Sequence, residues 1–176
     1  RHQSMKIALK MSYDAIVMTP GAVTLWGLIA GLSANFSTYF INALKHISPE
    51  ISWDDALRAL SSRSLVQFSV NGKSLHMLMP VKAQWERLAG KKEKRECYAL
   101  WAKLIGYVAM QADSCEHTHD ARLSNSIRGV VFECMRSFMM ITEFLIQDGQ
   151  IEAAEKCINA MQDYYESLSD SAFEFL

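Results

Sequence analysis

Between two stretches of helical periodicity, Ser64 to Pro80 reads SLVQFSVNGKSLHMLMP, two short β-favouring runs on either side of Asn71-Gly72. Asn-Gly tolerates the positive φ of a type I′ turn and is the strongest short hairpin signal a sequence can carry. A two-residue loop there pairs Val70 with Lys73, Phe68 with Leu75, Gln67 with His76 and Val66 with Met77. Directly opposite residues share a face, so Val66, Phe68, Leu75 and Met77 make an apolar side. Gln67, Ser69, Ser74 and His76 make a polar one. A hairpin set among helices limits the chain to folds in which a small sheet packs beside a helical core.

The segments before the hairpin supply that core. Met5 to Val17 carries Met5, Ala8, Leu9, Ile16 and Val17 at near-helical spacing and stops before Thr19-Pro20-Gly21. Val23 to Ser33 is apolar around nearly its whole circumference. Gly27 and Gly31 leave room there for close helix contact, which predicts a buried central helix. Phe36 to Ile47 predicts a helix with Phe36, Tyr39, Phe40, Ala43, Leu44 and Ile47 as its stripe, ended by Ser48-Pro49. Ser52 has the properties of an N-cap, with Asp55 three residues on, and Trp53, Ala56, Leu57 and Leu60 follow at i, i+3, i+4 and i+7. A short amphipathic helix, Val81 to Leu88, follows the hairpin. Helices feeding a two-stranded wing are in winged-helix order. The expected fold is therefore mainly α: a winged-helix domain over residues 5–89, then an α-helical lobe over 90–176.

The charged run Lys91 to Glu96 marks the boundary, or the solvated start of the next helix. Three helices are expected beyond it, about Glu93 to Ala112, about Ala121 to Gln147, and Ile151 to Ser167. Asp148-Gly149-Gln150 forms a tight turn with Gly149 as a left-handed cap, so the last two helices make an antiparallel hairpin.

Half of the 176 residues are apolar, enough for one sizeable core or two small ones. The net charge of −1 gives no basic excess to hold a phosphate backbone or an acidic membrane surface. The longest apolar run, Gly21 to Ala34, falls well short of the roughly 20 residues a membrane span needs. Cys97, Cys115, Cys134 and Cys157 lie far apart with no C-x-x-C pair, which predicts reduced thiols in a cytoplasmic protein. An opening on Arg1 and a close on Ala-Phe-Glu-Phe-Leu suggest a piece of a longer chain, with Phe173 and Phe175 packed on its next helix.

Three short motifs, in order, resemble the winged-helix arm of the STAND-class NTPases, the group containing the NB-ARC and NACHT proteins. Leu9-Lys10-Met11-Ser12-Tyr13-Asp14 is similar to that family's L-x-x-S-Y-D. Ala56-Leu57-x-Ala59-Leu60-x-x-Arg63-Ser64-Leu65-Val66 is similar to its A-L-x-x-L-x-x-R-S-L-V. Leu75-His76-Met77 falls where the family has its M-H-D or H-P histidine, with Met77 in place of the Asp or Pro. The resemblance covers about half of the chain, Leu9 to Leu88. It implies an arm that folds over a nucleotide-binding domain, with His76 hydrogen-bonded to the β-phosphate of ADP and with Arg63 and Lys73 beside the wing on the closing surface. ADP or ATP would be held by the parent protein, because no G-x-x-x-x-G-K-[ST] occurs in this chain. The second half more loosely resembles tetratricopeptide-type helices, through Phe144-Leu145-Ile146-x-x-Gly149-x-Ile151-Glu152-Ala153-Ala154-Glu155, although no 34-residue period is present. A plain helical bundle fits it nearly as well.

Other chemistry is thin. Cys115-Glu116-His117-Thr118-His119-Asp120 concentrates the only candidate metal ligands, Cys115, His117 and His119, but no second pair completes a site. The expected reading is a polar loop in which Asp120 caps the next helix. No nucleophile elbow or H-E-x-x-H is present, so no enzyme activity is expected of this piece. Met135, Met139 and Met140 fit a helical core better than a partner-binding surface. The expected function is regulatory: an arm coupling a helical ligand sensor to a nucleotide-dependent oligomerisation switch, with the nucleotide-binding domain in cis and a protein or ligand on the helical lobe as partners. The alternatives are a winged-helix transcription regulator with a helical dimerisation or ligand-binding lobe, and a protein-interaction scaffold. Asp54 and Asp55 at the leading end of the helix before the wing oppose DNA, since only Arg58, Arg63 and Lys73 lie nearby to offset them.

Overall fold

The computed structural model of the chain describes residues 2–31, 36–117, 138–139 and 141–173. It is mainly helical, with one small antiparallel sheet. Two compact units divide the chain, Arg1–Cys97 and Tyr98–Leu176.

The first unit is built on α2 (Ala22–Gly31), whose Leu25, Trp26, Leu28 and Ile29 are fully enclosed. A helix this apolar on all sides has no solvent face to present, so other elements must surround it. α4 (Trp53–Ser62) and α5 (Met79–Leu88) pack against it, and α1 (His2–Ile16) adds Ile16 to the core and rests on α5. Gly21, at φ +78°, turns the chain from α1 into α2, and a side chain there would strike Ile51. Gly27 faces Trp85 so closely that a Cβ would lie 2.5 Å from the indole Cε2 and 2.8 Å from Cys97 Sγ. The two indoles are tied across the helices. Trp26 Nε1 donates to the Val81 carbonyl and Trp85 Nε1 to the Val23 carbonyl, both at 3.2 Å.

α3 (Tyr39–Ile47) and α4 are joined by a five-residue turn, 48–52, on which Trp53 Nε1 donates to the Ser48 carbonyl at 3.0 Å. Ser52 precedes α4, but its hydroxyl donates to Asp55 Oδ2 at 2.7 Å and makes no cap to the helix backbone. The Asp55 carboxylate draws the hydroxyl proton, so the expected box is a side-chain pair only.

The sheet departs from the expected two strands. β2 (Gln67–Phe68) and β3 (Ser74–His76) pair in the expected register, Gln67 with His76 and Phe68 with Leu75. β1 (Phe36–Ser37) joins the other side of β3, Phe36 against Leu75, giving the order β1-β3-β2. Phe36 therefore belongs to a strand and not to the start of α3. Its ring stays in the core against Phe40, with centroids 5.0 Å apart.

The hairpin loop is wider than a two-residue type I′ turn. Ser69 and Ser74 close it, the Gly72 N–H donates to the Ser69 carbonyl at 2.9 Å, and only Gly72 (φ +68°) takes a positive φ. Asn71 Oδ1 accepts from the Lys73 N–H at 3.0 Å and from the Ser69 hydroxyl at 2.7 Å, while Ser69 Oγ accepts from the Ser74 N–H at 3.0 Å. These side-chain bonds satisfy the loop backbone without a left-handed Asn71. Both loop forms are centred between Asn71 and Gly72, which is why the register survives the change of turn.

α6 (Lys91–His117) begins inside the charged run, where Lys94 donates to the Glu86 carbonyl at 2.8 Å and pairs with the Glu86 carboxylate at 3.3 Å. In the second unit, residues 141–147 form α7, and α8 (Ile151–Phe173) follows. Gly149, at φ +77°, ends α7: its own N–H donates to the Ile146 carbonyl at 3.0 Å, and that of Gln150 to the Leu145 carbonyl at 2.8 Å. This is the Schellman pattern expected of a glycine at that place. Ile141 and Leu145 on α7, with Ala154, Cys157 and Met161 on α8, are buried, and the Tyr98 and Phe144 rings stack with centroids 4.0 Å apart.

Candidate functional site

The wing and the end of α4 hold the residues that the sequence singled out. β3 alternates, so Leu75 is buried and His76 emerges on the opposite, solvent-facing side beside its cross-strand partner Gln67. Lys73 sits in the hairpin loop, exposed, its carbonyl held by the Thr38 N–H at 3.0 Å and the Thr38 hydroxyl at 3.1 Å. Arg63 closes the C-terminal end of α4, exposed, just before Ser64, which adopts φ +56° to turn the chain into β2. The side chains of Arg63, Lys73 and His76 have no hydrogen-bond or ion-pair partner among the described residues.

The expected apolar face of the hairpin is only partly enclosed. Val66, Leu75 and Met77 are buried, but Phe68 is 51% exposed because β2 is the edge strand and reaches past the core. Val70 at the loop and Leu78 and Met79 beyond β3 are exposed as well. The wing therefore offers apolar side chains and unpaired donors together. The pattern of alternation could not have revealed this, because it assigns a face and not the extent of the core beneath it.

On α4 the charges are spent internally. Lys45 Nζ lies 2.8 Å from Asp54 Oδ2, and Arg58 Nη1 lies 2.9 Å from Asp55 Oδ1. These exposed pairs add little stability, but they leave the leading end of α4 without a free cation to meet a phosphate.

The expected polar loop from Cys115 is corrected in part: Cys115, Glu116 and His117 continue α6 as helix. The run Glu96 to His117 carries no glycine or proline after Gly106, so nothing in the backbone stops it. His119 and Asp120 lie outside the described residues, as do Cys134, Met135, Met140 and Phe175, and Met139, expected in the core, is instead exposed. Among the described residues no group of three His, Cys, Asp or Glu side chains could hold a metal ion. Also among them, no helix is long and apolar enough to cross a membrane.

Cys97 and Cys157 are free, buried thiols. Burial pushes both up, Cys157 to about 11 although Thr142 donates to its sulfur at 3.9 Å. Protonated and enclosed, neither is placed to act as a nucleophile. Tyr13, in the Ser-Tyr-Asp motif of α1, leans on Trp26 with ring centroids 6.1 Å apart, and burial together with the charges of Glu93 and Asp14 raises its phenol above the ordinary value. The motif's tyrosine thus packs on the core of the unit.

No known protein family, curated protein or solved structure matches the chain.

Proposed function

We propose that residues 5–89 form a winged-helix domain and that the chain serves as the regulatory arm of a cytoplasmic, nucleotide-switched signalling ATPase. The observation that carries the reading is the order α2-β1-α3-α4-β2-β3 with strands arranged β1-β3-β2, in which a helix-turn-helix pair feeds a wing and an early strand seals its inner edge. The motif resemblance over Leu9 to Leu88 supplies the family. The unpaired, exposed side chains of Arg63, Lys73 and His76 supply donors for an anionic partner surface.

In this proposal His76 donates an imidazole N–H to the β-phosphate of ADP held by a nucleotide-binding domain elsewhere in the parent protein. Arg63 and Lys73 line the closing surface. The α7-α8 hairpin, turned at Gly149, belongs to the helical lobe that receives a ligand or partner and shifts the population towards an open, oligomerising state. The free thiols of Cys97 and Cys157 agree with a reducing compartment. Duplex DNA is the less favoured partner of the wing, because Asp54 and Asp55 lead α4 and its cation Arg58 is paired.

The deciding experiment is ADP retention by the full parent protein carrying His76→Ala. Faster ADP loss is expected, and unchanged retention overturns the sensing role. Fluorescence anisotropy with a labelled duplex is expected to give no salt-dependent binding by the 176-residue chain. A steep salt slope would select the transcription-regulator reading instead.

A further inference from the structure

Away from the wing, α1 and α5 enclose a groove of about 440 Å³ lined by Met5, Lys6, Leu9, Pro80, Ala83, Gln84 and Arg87. That volume lies within the range of small-molecule sites, roughly 300–1,000 Å³. Its walls are mostly apolar, and the aliphatic stems of Lys6 and Arg87 extend them. Gln84 is only 8% exposed, lines the groove, and its amide has no hydrogen-bond partner among the described residues. Its amide atoms still meet solvent at the groove, so an acceptor bound there replaces water on the amide and is oriented by it.

The charges at the groove are of one sign. Lys6 and Arg87 are exposed and carry no ion-pair partner among the described residues, and no carboxylate belongs to the lining. Glu86, the acidic neighbour on α5, is engaged by Lys94 at 3.3 Å. A planar guanidinium suits a carboxylate because it can donate two parallel hydrogen bonds.

We infer that this groove binds a free medium-chain carboxylate. The apolar chain lies on Met5, Leu9, Pro80 and Ala83, the carboxylate sits with Lys6 and Arg87, and the Gln84 amide donates to one of its oxygens. The site uses α1 and α5 alone, so it stands or falls independently of the wing and of any nucleotide switch.

Decanoate below its micellar concentration is the probe, titrated into the chain by calorimetry and followed by the methyl resonance of ¹³C-labelled Met5, assigned through Met5→Leu. Saturable binding with a shift of that resonance is expected. Ala83→Trp, on the exposed wall of the groove, abolishes it. Lys6→Gln with Arg87→Gln weakens it about fivefold, and decanol binds more weakly than decanoate by a similar factor. Circular dichroism verifies that each variant keeps its helices. No saturable decanoate binding overturns the inference, as does equal binding by Ala83→Trp. Retention on phosphatidylglycerol vesicles without a decanoate isotherm overturns the free-acid assignment in favour of a lipid surface.

Discussion

Trp26 and Trp85 each donate an indole N–H to a backbone carbonyl of the other's helix, Val81 for Trp26 and Val23 for Trp85. Both rings are buried, so each must find an acceptor inside the protein, and each finds it on the helix it packs against. The pair fixes the rotation and the axial position of α5 on α2, which a purely apolar contact would leave looser.

Replacing either tryptophan by phenylalanine loses one hydrogen bond and part of a ring. Trp26→Phe and Trp85→Phe are each expected to lower unfolding stability by about 2 kcal/mol. Urea denaturation of the two single variants and the double variant measures this, and a non-additive result is expected because the residues share one interface.

Gly27 is required by the approach of Trp85. Gly27→Ala places a methyl against the indole and Cys97 Sγ, and a cost of about 1–3 kcal/mol is expected despite the better helix propensity of alanine. Adding Trp85→Leu should recover part of the loss relative to the summed single effects. Thermal melts of the three proteins give the comparison.

The two aromatic and aliphatic partners Phe68 and Leu75 should behave differently although they are cross-strand neighbours. Leu75→Ala is expected to cost about 2–5 kcal/mol, as for other large-to-small core changes. Phe68→Ser, on the exposed edge strand, should change stability by no more than about 0.5 kcal/mol. Equal effects in denaturant titrations would mean that β2 is covered.

The buried thiols set a dependence on alkaline pH. A group whose folded pKa is raised stays protonated in the native state while the unfolded chain ionises. The stability it contributes is whole below the unfolded thiol value and is lost as pH rises through the folded one. For Cys157 the loss runs from its ordinary value of 9.0 towards about 11. Denaturation free energies should fall across that interval and Cys157→Ala should flatten the fall. In a Cys115→Ser/Cys134→Ser background, a thiol reagent at neutral pH should label Cys97 and Cys157 only after unfolding.

Features set by neighbours along the chain were legible in advance. The all-round apolarity of α2, the Gly149 cap and the pairing of Gln67 with His76 each follow from a few consecutive residues, because helix burial, αL caps and hairpin register are local properties. The type of turn at Asn71-Gly72 was misread for an equally local reason: Ser69 and Asn71 side chains compete for the loop backbone and remove the need for a left-handed asparagine. The positions of Arg63, Lys73 and His76 on the surface were also foreseeable, since each is polar at a helix end, a loop or an outward strand position.

What the amino-acid order determined alone is a helical chain with one hairpin, its register and its polar face. Tertiary structure decided what joins distant segments. The two residues of β1 have no strand signature, and Phe36 fits a helical stripe just as well; only the open edge of β3 draws them into a sheet. Phe68 is left half-exposed because the core ends beneath β3. The α1-α5 groove likewise brings Met5 and Lys6 beside Gln84 and Arg87. No periodicity encodes such a meeting, because it depends on how the packed helices leave space between them.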